Sequence, residues 1–327
     1  MVCYKLNYER GSIIKNKVIQ FIGGIIIIIC FAFIINTLRG IEINWVDVLT
    51  NPKVIVLILI CSCILAVLLY GVAFAWANIV EYIQPNQVQR KILCSIYIKS
   101  SIAKYLPGNI MNLVGRNVLA IKYGFKQVNI ATSTLIEIVF FAGTTLILAT
   151  LFSLNSFKHW IEIILDYVNL PFLFVLVLCA ITCVFIAIFI INRRMPLKQV
   201  VSNYINMKFL VVAIRCITLY SIFFITSGIV MFVILFTTFD IPFSMTIALQ
   251  IIGCYIISYF IGYITPGAPG GIGIREAILI ISLSTIITEE YVVVATLLHR
   301  VITILSDVII YLVNQFILER RSIDRSN

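Results

Sequence analysis

Long apolar stretches alternate with short polar and mostly basic segments along nearly the whole chain. Most of these stretches reach the ~20 residues that an α-helix needs to cross a hydrocarbon core about 30 Å thick. The pattern therefore predicts an all-α polytopic membrane protein with about eight transmembrane helices, including two interrupted or re-entrant elements. The predicted spans are residues 18–38, 54–80, 130–152, 171–191, 209–236, 242–264, 274–287 and 291–318.

The apolar pattern breaks between the sixth and seventh spans, at the sequence PGAPGG of residues 266–271. Proline removes amide donors and glycine permits positive φ, so this segment cannot continue a helix. The helix that restarts after it would turn its first amides and its positive dipole end, with Arg275, toward the break. Interrupted membrane helices bind charged substrates in this way. The residues assigned to this element are Pro266, Gly267, Pro269, Gly270, Gly271, Gly273, Arg275 and Glu276.

Two alternatives remain open for this element. The break could be a tight turn between two spans at the membrane surface, since a turn needs only one or two such residues. Residues 242–288 could also either cross the membrane fully or form a re-entrant hairpin, because both arrangements leave the eighth span running in the same direction. The seventh span is short, which favours a broken or partly inserted helix.

A similar break lies between the second and third spans, where Pro107 and Gly108 separate two helical stretches. Asn112 and Arg116 are four residues apart in the second stretch, so they share a helix face. Two interrupted elements in separate halves of a chain indicate a transport site near the midplane of the membrane. The alternative is an amphipathic helix that lies on the inner leaflet.

Composition supports a membrane protein, since 61% of the 327 residues are hydrophobic and the mean hydropathy is +1.10. No polar stretch is long enough for a soluble domain, so we interpret residues 1–327 as a single transmembrane domain. Eighteen basic residues fall in segments on one predicted side and three on the other, which predicts that both termini are cytoplasmic. This asymmetry explains the net charge of +10 without nucleic-acid binding.

Ionisable side chains inside the predicted spans are few, and each is a functional candidate because a charge within a membrane is costly. Glu137 and Arg215 lie about two turns into the third and fifth spans. Arg300 and Asp307 lie in the eighth span, two turns apart, and would need a neighbour or water to pair. They belong to a polar stripe at three-, four- and seven-residue steps, formed by Thr296, Arg300, Thr303, Asp307 and Asn314.

These charges could simply pair with one another as struts between helices. Full pairing would nevertheless leave a positive surplus, because the candidate arginines outnumber the candidate carboxylates. The arginines are Arg116, Arg215, Arg275 and Arg300, and the carboxylates are Glu137, Glu276 and Asp307. Guanidinium groups without a carboxylate, placed beside a helix N-terminus, suit a phosphate.

Other reactive residue types carry no chemistry in this interpretation. The nine cysteines lie mostly inside apolar runs and form no CxxC pair, so we interpret them as packing residues. His299 projects to a different face from Arg300 and is also interpreted as a packing residue rather than a proton relay. No pattern indicates a metal site or a cofactor, and neither is expected.

Three features together resemble the lysylphosphatidylglycerol synthase transmembrane-region family: KYLPGNIMNLVGR at residues 104–116, Glu137 in the following span, and PGAPGGIGIREA at residues 266–277. The resemblance covers nearly the whole chain. It implies a polytopic bacterial inner-membrane protein with re-entrant elements around a lipid-accessible cavity, related to the N-terminal half of the multiple peptide resistance factor. In two-domain relatives this half moves aminoacylated phosphatidylglycerol between leaflets, and a soluble half makes that lipid. Since no such soluble half is found in this sequence, synthase activity is not expected.

The leading hypothesis is a flippase-like transporter that moves a lipid with an anionic headgroup across the cytoplasmic membrane. The lipid could be a phospholipid, a glycolipid or a polyprenyl-phosphate-linked sugar. Arg116, Arg275 and the amides of residues 271–274 would hold its phosphate. Arg215 and Arg300 would assist its passage, and the carboxylates of Glu137 and Asp307 would compete for these arginines in the empty site.

Two alternatives from other classes remain. A polytopic membrane glycosyltransferase acting on lipid-linked sugars would need an acid-base pair, and the short external loops show no evident one. A non-transporting scaffold of an envelope lipid or polysaccharide synthesis complex would not need the intramembrane arginines. The expected partner is a membrane lipid as substrate, with a lipid- or sugar-modifying enzyme encoded nearby.

Overall fold

The structure is a computed structural model that describes residues 48–105, 111–152, 207–265 and 271–323, apart from a few positions within these ranges. The predicted spans at residues 18–38 and 171–191 lie outside the described residues. So do Pro107 and Gly108 of the first break, and Pro266, Gly267, Pro269 and Gly270 of the second.

Every regular element among the described residues is helical, which confirms the all-α prediction. A short 3₁₀ turn, Ile102–Tyr105, follows the second helix. The helices are α1 (Pro52–Ile83), α2 (Arg90–Ser101), α3 (Met111–Ile121), α4 (Gln127–Phe152), α5 (Met207–Phe239), α6 (Met245–Ile264), α7 (Ile274–Leu283) and α8 (Glu289–Ile323).

Five of these helices, α1, α4, α5, α6 and α8, are long and apolar enough to cross a membrane. Their outer surfaces expose large apolar side chains, such as Val67 at 71% and Leu151 at 66%, as expected where lipid rather than water surrounds the protein. In contrast, α7 has 10 residues and is therefore about 15 Å long, half the thickness of a hydrocarbon core. The short seventh element predicted from the sequence is thus present.

Helix α1 packs against α2, α4, α5 and α8. Its start is defined by Asn51, whose side chain accepts a hydrogen bond from the Lys53 amide at 3.0 Å, with Pro52 as the first helical residue. Ala73, Ala75 and Ala77 are fully buried on this helix. Small residues on the buried face of a helix let its neighbours approach closely, as in other membrane bundles.

Helices α5 and α6 also approach closely, at Gly228. A Cβ atom at this position would lie 2.9 Å from the Cγ2 atom of Ile252, so only glycine fits the contact. In addition, α6 packs against α4 and α7, and α7 packs against α8. This packing brings the two halves of the chain around one enclosed space, into which polar side chains of α3, α4, α7 and α8 project.

Candidate functional site

A cavity of about 100 Å³ lies between the two predicted interrupted elements and the spanning helices. It combines an aromatic and apolar wall with a cluster of charged side chains, and residues from all eight described helices or their connecting turns contribute to it. Its lining residues are Leu69, Val72, Tyr97, Ser101, Lys104, Tyr105, Asn112, Arg116, Glu137, Phe141, Phe223, Tyr259, Tyr263, Arg275, Arg300 and Thr303.

One wall of the cavity contains a buried ion pair between Arg116 of α3 and Glu137 of α4. The guanidinium carbon of Arg116 also lies 4.2 Å from the centre of the Tyr97 ring and 5.2 Å from that of Trp76. Both charges are almost fully buried, so the pair and the ring contacts offset the cost of removing them from solvent. The strut alternative considered from the sequence paired Glu137 with an arginine of another spanning helix, whereas the observed partner is Arg116 of the shorter helix α3.

Asp307 of α8 is held by the 3₁₀ turn and not by Arg300 of its own helix. Its carboxylate lies 2.7 Å from Lys104 Nζ, and it accepts a hydrogen bond from the Tyr105 hydroxyl at 2.5 Å. Burial raises the pKa of Tyr105, and the nearby Asp307 carboxylate raises it further, so this hydroxyl remains a neutral donor. These contacts join α8 to the first predicted interrupted element.

Glu276 occupies the start of α7 and divides its two oxygens between two partners. Its Oε2 atom accepts a hydrogen bond from the Gly273 amide at 2.6 Å, which caps the helix. Its Oε1 atom lies 3.7 Å from the NH1 atom of Arg300 on α8. The amide of Gly273 is therefore engaged by Glu276, and the role of the amides of residues 271–274 in holding a phosphate stays a prediction.

Arg275 has a different environment from the other cations of the cavity. Its side chain passes between two glycines: a Cβ atom at Gly262 would lie 2.1 Å from its Cγ atom, and one at Gly271 would lie 2.9 Å from its Cδ atom. Its guanidinium carbon lies 4.0 Å from the centre of the Tyr259 ring, and its NH2 atom donates a hydrogen bond to the Tyr255 hydroxyl at 3.1 Å. No carboxylate of the described residues lies within ion-pair distance of Arg275.

Among the residues that the structure describes, the charges around the cavity therefore do not balance. Four cations line it, and three carboxylates pair with three of them: Glu137 with Arg116, Asp307 with Lys104, and Glu276 with Arg300. The positive charge of Arg275 is left facing aromatic rings and the cavity. A guanidinium group without a carboxylate partner suits a phosphate, because its planar set of donors matches the phosphate oxygens.

The structure brings most of the predicted site residues together. Asn112, Arg116, Glu137, Arg275 and Arg300 line the cavity, and Asp307 borders it through Lys104 and Tyr105. Gly271, Gly273 and Glu276 shape the adjoining start of α7, whereas Gly270 lies outside the described residues. The polar stripe of α8 faces the protein interior, where Asn314 donates a hydrogen bond to the Ser95 hydroxyl at 3.1 Å.

Arg215 does not belong to this cavity, and its assignment there requires correction. It is exposed on α5 and lines a separate groove with residues of α1 and α2. The sequence placed Arg215 about two turns into a helix, as the structure has it, but could not show that this side of the helix faces away from the cavity.

Lys104, Tyr105, Tyr255 and Tyr259 are site residues that the sequence interpretation did not assign. Lys104 and Tyr105 directly precede the first break, and Tyr255 and Tyr259 are four residues apart, so they share a face of α6. That spacing is a recognisable signal for an aromatic surface that an arginine can stack against. His299 is buried and its Nε2 atom lies 3.2 Å from the Ser227 carbonyl, a packing arrangement that agrees with its interpretation.

Five apolar spanning helices around an enclosed, charged cavity define a membrane-embedded, all-helical polytopic protein. Residues 13–310 match the family described as Lysylphosphatidylglycerol synthase TM region, and the chain belongs to this family. No curated protein matches the chain. The family places the protein among integral membrane proteins related to lipid handling.

Proposed function

We propose that this protein is a flippase-like transporter that moves a lipid with an anionic headgroup across the bacterial cytoplasmic membrane, with both termini in the cytoplasm. The observation that carries the proposal is Arg275, a cation at an enclosed cavity whose contacts in the described structure are aromatic and hydroxyl groups and not a carboxylate. Membership of a lipid-related membrane family supports a lipid as the source of the anion.

The size of the cavity is consistent with one phosphate group. A volume of about 100 Å³ is well above the roughly 10–15 Å³ that holds a single water, so a phosphate group can be accommodated beside Arg275.

Transport then requires that a headgroup phosphate exchange partners with the carboxylates of the cavity. The phosphate would bind Arg275 first, because no carboxylate competes for it within the described site. It would next share Arg300 with Glu276, whose 3.7 Å separation from that arginine makes theirs the longest ion pair in the described site. Separation of Asp307 from Lys104 and Tyr105 would release the 3₁₀ turn from α8 and widen the cavity.

A transporter explains the site better than an enzyme does. The three carboxylates at the cavity are each engaged by a cation, and so none is poised as a general acid or base. The sequence contains no GxxxxGK[ST] nucleotide-binding loop, so movement would follow a lipid gradient or be driven by protons or membrane potential.

The proposal is tested by measuring translocation of a fluorescent phosphatidylglycerol in proteoliposomes, where dithionite reduces only the outer-leaflet probe. Arg275→Ala should lower the translocation rate by at least about tenfold, because charge-assisted hydrogen bonds contribute about 1.5–3 kcal/mol each. Arg275→Lys should retain part of the rate, and Lys126→Ala, at an exposed position before α4, serves as the matched control. An unchanged rate in a folded Arg275→Ala protein would refute the assignment.

A further inference from the structure

A second groove of about 300 Å³ lies on the outer surface of the bundle, between the end of α1, the start of α2 and the first turns of α5. It shares no lining residue with the cavity around Arg275. Arg90, Lys208 and Arg215 line it together with one carboxylate, that of Glu81. The function proposed above uses none of these side chains.

The charges of this groove are unbalanced in the same sense as those of the cavity. Arg90 engages Glu81, with its Nε atom donating a hydrogen bond to the Oε2 atom at 2.7 Å. Neither Lys208 nor Arg215 has a carboxylate within ion-pair distance in the part of the chain that the structure describes. Two positive charges of the groove therefore have no carboxylate partner among the described residues.

The positions of these two cations along α5 indicate what the anion is attached to. Lys208 is the second residue of the helix, and Arg215 is seven residues further on, about 10 Å deeper on the same face. The same seven-residue step continues through Ile222, Ile229 and Phe236, which are 45%, 42% and 40% exposed. On this face of α5, the two cations of the first turns are thus followed by an exposed apolar surface that continues along the helix into the bilayer.

This arrangement matches the two parts of a phospholipid. A soluble anion would use only the cations, whereas a lipid phosphate at Lys208 and Arg215 places its acyl chain along the exposed isoleucines of the same face. One leaflet of a hydrocarbon core is about 15 Å deep, and Ile222 lies about 10 Å below Arg215 along the helix axis. Cationic side chains at a membrane interface attract anionic lipids in general, and the groove adds a defined shape to that attraction.

We propose that this groove is a binding site for an anionic phospholipid, whose phosphate is held by Lys208 and Arg215 and whose acyl chain lies along Ile222 and Ile229. In the proposed orientation of the chain, this end of α5 faces the cytoplasmic leaflet. The site does not depend on transport through the cavity, since the two share no residues.

The test uses the full-length protein in phosphatidylcholine nanodiscs that contain a small fraction of phosphatidylglycerol with a diazirine in the middle of one acyl chain. After illumination, mass spectrometry of peptides should locate crosslinks on α5 around Ile222. The double variant Lys208→Ala/Arg215→Ala should reduce these crosslinks at subsaturating lipid by about tenfold, because each interfacial cation strengthens lipid attraction severalfold. Lys91→Ala is the matched control, because Lys91 is exposed beside Arg90 on α2 but does not line the groove.

The proposal would be overturned if the crosslinks survive in the double variant, or if the corresponding photoreactive phosphatidylcholine crosslinks equally well. It would also be overturned if millimolar inorganic phosphate suppresses the crosslinks completely, because that result would indicate a site for a soluble anion. A second variant, Lys208→Gln/Arg215→Gln, keeps much of the side-chain volume and should also lose the crosslinks, while gel filtration reports folding. Arg275→Ala should keep the crosslinks on α5. Loss of translocation in that variant with retained crosslinks would separate this site from the transport site.

Discussion

Substitution of Gly262 by alanine changes the position of Arg275 without removing its charge. The added Cβ atom would lie 2.1 Å from the Arg275 Cγ atom, whereas ordinary van der Waals contact begins at 3.4 Å. The arginine side chain must therefore move by at least the 1.3 Å difference, or α6 and α7 must separate by a similar amount. Either change displaces the guanidinium group from the face of Tyr259, which it now contacts at 4.0 Å.

The expected cost follows from that geometry. Overpacking of a well-packed interior typically costs about 1–3 kcal/mol, and misplacement of a binding group by about 1 Å can lower a rate by up to about a hundredfold. We expect Gly262→Ala to lower the thermal midpoint of the detergent-solubilised protein by several degrees and the translocation rate by about tenfold. Gly143→Ala is the matched control, because a Cβ atom at Gly143 on α4 would meet no heavy atom within 4 Å.

A double-mutant cycle makes the reasoning refutable. In the Arg275→Ala background the alanine at residue 262 no longer meets the arginine side chain, so its effects on stability and on translocation should largely disappear. If Gly262→Ala has the midpoint and rate of the unmodified protein, or if its effects persist unchanged without Arg275, then this contact does not position the guanidinium group.

Two further predictions concern the ion pairs. Glu137→Gln should destabilise the protein by about 3–5 kcal/mol, because it leaves Arg116 buried without a counter-charge. The double variant Arg116→Leu/Glu137→Leu should recover most of the thermal midpoint. Equal instability of the two variants would contradict this prediction. Asp307→Asn should increase deuterium uptake in the turn Ile102–Tyr105, because it weakens the contacts to Lys104 and Tyr105. The control variant Glu289→Gln, at an exposed position on α8, should leave the uptake unchanged. Equal uptake in both variants would show that Asp307 does not hold the turn.

The sequence alone determined the class of protein and the five spans that the structure describes, and it predicted the residue types of the candidate site. Apolar stretches of spanning length predict helices because the bilayer leaves backbone amides no other partner than the helix itself, and this requirement is local to each segment. The short α7, the polar stripe of α8 and the excess of arginine over carboxylate are likewise properties of segments and of counts. These features could therefore be predicted without knowledge of any contact between helices.

Only the tertiary structure decided which charges meet. Asp307 pairs with Lys104, 203 residues away in the chain, and not with Arg300 on its own helix, because the packing of α8 brings its carboxylate to the 3₁₀ turn. Arg215 points into an outer groove and Arg275 into the inner cavity, although both were candidates for the same site. These differences depend on the rotation of each helix about its axis and on close approaches such as that at Gly262. Both arise from contacts between segments that are distant in the chain, so the sequence of a single segment does not predict them.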